Sequence, residues 1–235
     1  KYLIKHVPWY GPIYYEAYRF EEKCEEYERA LRIIKKGLKE IPRYGPLWFG
    51  GFKLLEKLSG GNLSSVRETV RRAVGQISKE LVWKVYFDAA QIEERHGNMT
   101  EAREAYVRSV MFCPPNLCWK VWLGGARMEL HEGNEDVART LITRALRDVP
   151  AKMRSVVKLE FSRMEEFTGN VAESRRLSQE CRGASKNEWK VYLEAILLEM
   201  RANNIDAAIA EAEAALKVHF GTGRLWAIYI RLMRH

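Results

Sequence analysis

With 235 residues, the chain is long enough for one large domain, two small ones or an elongated array. Its 47 % hydrophobic content excludes wholesale disorder, and no apolar run approaches the ~20 residues a helix needs to cross a bilayer. The 39 basic against 31 acidic side chains leave a formal charge of +8, which favours acidic partners such as RNA or acidic protein surfaces but dictates no fold.

Three blocks of the chain are near copies: WKVYFDAAQIEERHGN from Trp83, WKVWLGGARMELHEGN from Trp119 and WKVYLEAILLEMRANN from Trp189. With the first residue of each block as position zero, a carboxylate recurs at +10 (Glu93, Glu129, Glu199). A Gly-Asn or Asn-Asn pair follows at +14/+15, and a small residue at +19 (Ala102, Ala138, Ala208).

In chain order, the first repeat covers about 11–42, with Glu21 at +10, Ala30 at +19 and a closing Pro42. The second covers 47–78 and keeps Gly61-Asn62 and Val66 in frame. The third, 83–114, and fourth, 119–150, end in Pro114 and Pro150. The fifth, 155–186, has Ser155 where the Trp stood but retains Glu165, Gly169-Asn170 and Ser174. The sixth covers 189–220, and a seventh opens at Trp226 and breaks off within the chain's last residues, 226–235. The small position therefore falls at 30, 66, 102, 138, 174 and 208, a period of 36 with one step of 34.

Each repeat decodes as two helices. From Trp83 to His96 the apolar positions Trp83, Tyr86, Ala89/Ala90 and Ile92 advance by three or four, the amphipathic helix period. Gly97 suits a left-handed C-cap and Thr100 an N-cap, and a second stripe (Ala102, Ala105, Tyr106, Val110) runs to Pro114-Pro115. The small residue at +19 lets two antiparallel backbones cross closely. A helical hairpin of this size cannot bury its own apolar face, so copies must stack. The expectation is an all-α fold: a right-handed superhelical solenoid of about six antiparallel helix pairs plus a truncated seventh. It would be a single domain over 1–235, and the cut seventh repeat suggests a longer array.

The recurrent aromatics Trp83, Tyr86, Trp119, Trp122, Trp189, Tyr192 and Trp226 lie on the apolar stripes and are expected to be core. Glu at +10 and Arg at +20 (Glu93/Arg103, Glu129/Arg139, Glu165/Arg175) are expected to pair across the two helices of a repeat or to satisfy neighbouring backbone groups rather than to act as acid and base, because catalysis needs only one such set. Two cationic ladders recur in phase: Lys36, Arg72, Arg108 and Arg144 at +25, and Lys84, Lys120 and Lys190 at +1. They are candidates for a phosphate backbone or an acidic peptide. The tract RALRIIKKGLKEIPR, from Arg29 to Arg43, is the densest basic helix. Cys113, Cys118 and His131 lack zinc-ligand spacing, and no phosphate-loop, nucleophile-elbow or metalloprotease motif occurs, so neither cofactor nor enzyme activity is expected. The four cysteines fit buried thiols in a reducing compartment.

Aromatics at zero and +3, the Glu, Gly-Asn, Ala102-Arg103 and Ala138-Arg139, Arg144-Ala145-Leu146 and the closing Pro together resemble the HAT, or half-a-TPR, repeat, and more loosely the tetratricopeptide repeat. The resemblance covers nearly the whole chain, most clearly from Leu47 to Phe220; Ser155 for Trp and Ile209 for Arg depart from it. It implies a protein-interaction scaffold of a nuclear RNA-processing complex (splicing, 3′-end processing or ribosome biogenesis), with homodimerisation as a family habit. Some organellar members look like direct single-strand RNA binders, which makes RNA binding in chloroplast or mitochondrion the second expectation.

Overall fold

The computed structural model describes residues 6–184 and 188–234, and by its internal contacts the chain divides into two compact units with the boundary between Pro115 and Asn116. The expected end of the fifth repeat, 185–186, and that of the seventh, 235, lie outside the described residues. Among the described residues the regular structure is entirely helical. The protein is an all-helical repeat solenoid.

Among the described residues the first unit holds three helix pairs: α1 (Gly11–Lys23) with α2 (Tyr27–Glu40), α3 (Gly45–Leu58) with α4 (Ser64–Gln76), and α5 (Val82–Arg95) with α6 (Met99–Phe112). The second holds α7 (Cys118–His131) with α8 (Glu135–Asp148), α9 (Arg154–Phe167) with α10 (Val171–Ala184), and α11 (Trp189–Arg201) with α12 (Ile205–Val218). It closes with the single helix α13 (Gly223–Leu232). Prolines punctuate the array as their missing N–H requires. Pro12 and Pro46 sit in the first turns of α1 and α3, whereas α2, α6 and α8 stop two residues before Pro42, Pro114 and Pro150.

The turn is built the same way in five of the six pairs; in the α3–α4 turn Gly60 and Gly61 both have positive φ and the Asn62 N–H donates to the Ser59 carbonyl at 3.0 Å. Gly97, Gly133 and Gly169 have φ of +76°, +79° and +82°. The N–H of the next residue then donates to the carbonyl five residues back: Asn98 to Glu93 at 2.9 Å, Asn134 to Glu129 at 2.8 Å and Asn170 to Glu165 at 2.8 Å. This is the Schellman closure. Asn203 and Glu25 occupy the left-handed position at +56° and +60° in two other repeats. The expected N-cap at Thr100 is corrected: α6 already begins at Met99 and its cap is Asn98, whose side chain makes no capping bond because it turns back to Glu93.

Close crossings use two small positions, not one. Ala30, Ala102, Ala138, Ser174 and Ala208 at +19 are fully buried, with Val66 nearly so. A second series lies at +26, where Gly37, Ala73, Ser109, Ala145, Cys181 and Ala215 are all buried. A Cβ on Gly37 would lie 2.7 Å from Leu47 Cδ1 and 2.9 Å from Tyr14 Cγ, so the backbones there have no room for a methyl group. Where the +26 residue can donate, it bonds the carbonyl of position zero: Ser109 Oγ to Trp83 O at 2.9 Å, and Cys181 Sγ to Ser155 O at 3.9 Å.

The cores run from one repeat into the first helix of the next. In the first unit, Trp48, Phe52, Val66 and Val70 pack with Val82, Val85 and Ile92. In the second, Trp119, Leu123, Ala138 and Ile142 pack with Val157 and Met164, and Tyr192, Ile196 and Ala208 with Leu225 and Leu232. Each Val, Leu, Ile, Phe or Met among them contributes roughly 1.5–3 kcal/mol on burial, so the shared cores bind each repeat to the next. None of the four cysteines is in a disulfide, and only Cys181 is buried. Cys24 is exposed, and Cys113 and Cys118 are half-buried, because both flank the exposed turn after α6.

Candidate interaction surface

The recurrent carboxylates are buried charges held by neighbouring side chains. Glu93, Glu129, Glu165 and Glu199 are no more than 8 % exposed. Each accepts the side-chain amide of the Asn five residues on: Asn98 at 2.8 Å, Asn134 at 2.7 Å, Asn170 at 2.9 Å and Asn204 at 3.2 Å. Arginines of the preceding repeat also reach Glu93, Glu165 and Glu199. Arg67 reaches Glu93 at 2.7 and 2.8 Å, Arg139 reaches Glu165 at 2.9 Å, and Arg175 reaches Glu199 at 2.7 and 2.8 Å. The pairing expected within a repeat is therefore corrected for Arg139 and Arg175: each arginine extends forward from the second helix to the first helix of the next pair.

Burial by itself opposes ionisation of Glu93, but the bonds from Arg67 and Asn98 outweigh it and hold the carboxyl below the ordinary glutamate range. A bond from Arg175 does the same for Glu199. A second set of ion pairs links first helices of successive repeats: Arg95 to Glu56 at 2.8 Å, Arg127 to Glu160 at 2.8 Å, and Arg201 to Glu166. Glu93, Glu165 and Glu199, with Glu56, Glu160 and Glu166, are thus engaged in joining repeats.

The aromatics divide by burial. Trp83, Trp119 and Tyr192 are buried. Tyr86 is half-buried and stacks on Phe112 with centroids 5.8 Å apart. Trp122 and Trp226 are half-buried, and their Nε1 groups donate to Asp148 at 3.1 Å and to the Phe220 carbonyl at 2.7 Å. Trp189 carries the Arg224 guanidinium 5.6 Å from its ring.

The in-phase cations occupy unlike surroundings. Lys84 is half-buried with its Nζ 4.5 Å from the Phe49 ring, Lys120 lies 5.6 Å from Trp119, and the Arg144 guanidinium lies 5.4 Å from Trp122. Arg108 donates to Glu104 at 3.4 Å. Lys36 and Lys190 are exposed. Arg72 lines a groove of about 640 Å³, and the lysines beside it there are Lys35 and Lys39 rather than Lys36.

That groove runs between α2 and α4 over a floor supplied by α3, with Leu38, Trp48 and Leu55 among its apolar lining and Arg43 at one end. Among the described residues no acidic side chain lines it. The equivalent groove between α4 and α6, about 250 Å³, is internally balanced: Arg67, Arg71 and Arg108 are matched by Glu93, Glu101 and Glu104. In a smaller groove of the second unit, between α7 and α9, both arginines are paired: Arg127 and Arg163 share Glu160, and Arg163 also reaches Glu194. Among the described residues no group of three or more metal-ligating side chains converges, and no helix is long and apolar enough to cross a membrane.

The family described as PRP6, TPR-like domain matches residues 1–235. A TPR-containing protein of Dictyostelium discoideum is 59 % identical over 232 residues, which is 99 % of this chain but 18 % of that relative's own length. Solved structures of similar fold include the APC/C hetero-tetramer Cut9–Hcn1 (TM-score 0.56, 12 % identity, 98 % of this chain and 44 % of that one). Another is pilF of Pseudomonas aeruginosa (TM-score 0.57, 14 % identity, 94 % and 97 %). A third is a tetratricopeptide repeat protein from Parabacteroides merdae (TM-score 0.57, 10 % identity, 95 % and 84 %). At these identities the structures bear on the fold alone.

Proposed function

Since the chain belongs to the PRP6 TPR-like domain family, we propose that it is a non-enzymatic scaffold holding protein partners within a nuclear RNA-processing assembly of the splicing type. TPR-like repeats mediate protein–protein contacts, and Cut9, of similar fold, is found in a hetero-tetramer with Hcn1. The observation that carries the reading is how the polar groups are used. Periodic Arg–Glu pairs join successive repeats and the Asn side chains brace the turns, while open grooves with charged rims remain between successive helix pairs. Such a surface suits the docking of chains. The unbroken period through Ala102 and Ala138 supports treating all six repeats as one domain, which is part of the same proposal.

Direct capture of single-stranded RNA along the cationic ladders has less support. Lys84 and Arg144 are drawn onto aromatic rings and Arg108 onto a carboxylate, so the series offers no uniform row of free charges. The test is affinity capture of the tagged protein from nuclear extract, with and without ribonuclease. A set of splicing-type proteins that survives ribonuclease is the expected result. Loss of every partner on digestion would transfer the function to RNA binding, and an empty set, or partners foreign to RNA processing, would refute the proposal.

A further inference from the structure

In the groove between α2 and α4, four cations face an aliphatic floor and no counter-charge. Lys35 and Lys39 stand one turn apart on α2, Arg43 follows that helix, and Arg72 projects from α4, with Leu38 and Leu55 between them. Among the described residues none of the four cations has a carboxylate within ion-pair distance. Lys39 in the last turn suits the dipole of α2, but a second like charge one turn before it weakens the helix, so the stability of α2 does not account for Lys35. The neighbouring groove of the same unit, built from equivalent helices, carries matched acids and bases, so the imbalance belongs to this groove and not to the repeat.

We infer that the groove seats an extended or helical segment of a partner protein in which aliphatic side chains are interspersed with Asp and Glu. The apolar residues pack on the Leu38–Leu55 floor and the carboxylates meet Lys35, Lys39, Arg43 and Arg72 at the rim. A volume of about 640 Å³ accommodates several side chains at once. A nucleic acid fits less well, because bases bind on exposed aromatic faces. The ring in this groove, Trp48, is 1 % exposed, and its Nε1 is spent on the Pro42 carbonyl at 2.7 Å. Opposite charge on a partner also speeds encounter and selects against basic competitors.

This inference rests on the scaffold reading and specifies the chemistry of one partner. The test is selection from a random linear-peptide display library on the immobilised chain, followed by anisotropy titration of the selected peptides. The expected peptides are rich in both aliphatic and acidic residues. Their Kd should rise at least about tenfold in Lys35→Glu/Lys39→Glu, and should stay within about twofold in Arg71→Glu/Arg108→Glu, which alters the balanced groove. Arg72→Ala, a milder change at an exposed residue, keeps the test decisive if the charge reversal unfolds the unit. A library that yields no binder, peptides without acidic bias, a Kd indifferent to these variants, or an oligouridylate that occupies the groove more tightly than the peptides would each overturn the inference. If the ribonuclease-resistant partners persist while the peptides fail, the groove assignment is wrong and the scaffold stands. An empty partner set sinks the scaffold whatever the groove binds.

Discussion

Arg67 on α4 donates two hydrogen bonds, of 2.7 and 2.8 Å, to the carboxylate of Glu93 on α5, the first helix of the next repeat. The same carboxylate accepts Asn98 from its own turn, so one buried charge ties a helix end to its loop and to the repeat before it. Charge-assisted bonds of this kind are worth roughly 1.5–3 kcal/mol each, but taking a carboxylate out of water costs several. The net gain is therefore small beside the apolar burial between repeats, and the clamp's main effect is to fix register: a misaligned pair would leave a buried charge unmatched. Between the first two repeats both halves of the clamp are absent. The first repeat has Leu31 at the arginine position and the second has Lys57 at the glutamate position.

Acid should loosen the array through these carboxylates. Burial disfavours the charged form of Glu93, but the Arg67 and Asn98 bonds win, and Glu93 titrates below the ordinary value of 4.5. Glu199 and Glu56 are lowered chiefly by hydrogen bonds from Arg175 and Arg95. The unfolded chain then binds more protons than the folded one as pH drops, so stability is complete above the unfolded value and is lost as pH falls through the folded values. Urea midpoints should be flat from about pH 7 to 5 and fall below about 4.5, and Glu93→Gln/Glu199→Gln should flatten that acid limb. An acid limb identical in the variant would contradict the assignment.

Two helical glycines should respond to alanine with opposite signs. Gly37→Ala gains about 1 kcal/mol of helix propensity but drives a methyl into the buried Tyr14 ring, which costs about 1–3 kcal/mol, so a net loss is expected. A Cβ added at Gly75 would meet nothing within 4 Å, so Gly75→Ala should stabilise by about 0.5–1 kcal/mol. Chemical denaturation of both variants reads the difference directly.

Glu25 sits at φ +60°, where the other turns use glycine or Asn203. A side chain with a Cβ is penalised there by about 1–2 kcal/mol, partly offset by the greater freedom of glycine when unfolded. Glu25→Gly should therefore raise the melting temperature by a few degrees, and Asn203→Gly by less, since Asn tolerates this region. A lower melting temperature for Glu25→Gly would show that the carboxylate contributes more than the strain costs.

The helix pairs are legible in the sequence because stacking imposes one period on every copy, and glycine at residues 97, 133 and 169 announces a left-handed turn. The +26 series is present too, at the same steps as the alanines of +19. It is hard to read because Gly37, Ser109 and Cys181 share size rather than chemistry. The direction of the Arg–Glu clamp is not legible: where +10 and +20 recur together, only side-chain reach decides whether the arginine turns inward or forward. Nor does a period of 36 say which face lines a groove. One residue turns a helix by about 100°, enough to place Lys35 and Lys39 beside Arg72 and to leave Lys36 out.

The forward clamp is tested most directly by a pair of double-mutant cycles in the second unit, measured by urea unfolding. Arg139→Ala with Glu165→Gln, across the repeat boundary, should show a coupling energy of about 1–2 kcal/mol. Arg139→Ala with Glu129→Gln, inside one repeat, should be additive within about 0.5 kcal/mol. Coupling that is absent from the first cycle, or larger in the second, would contradict the claim that these charges hold one repeat to the next.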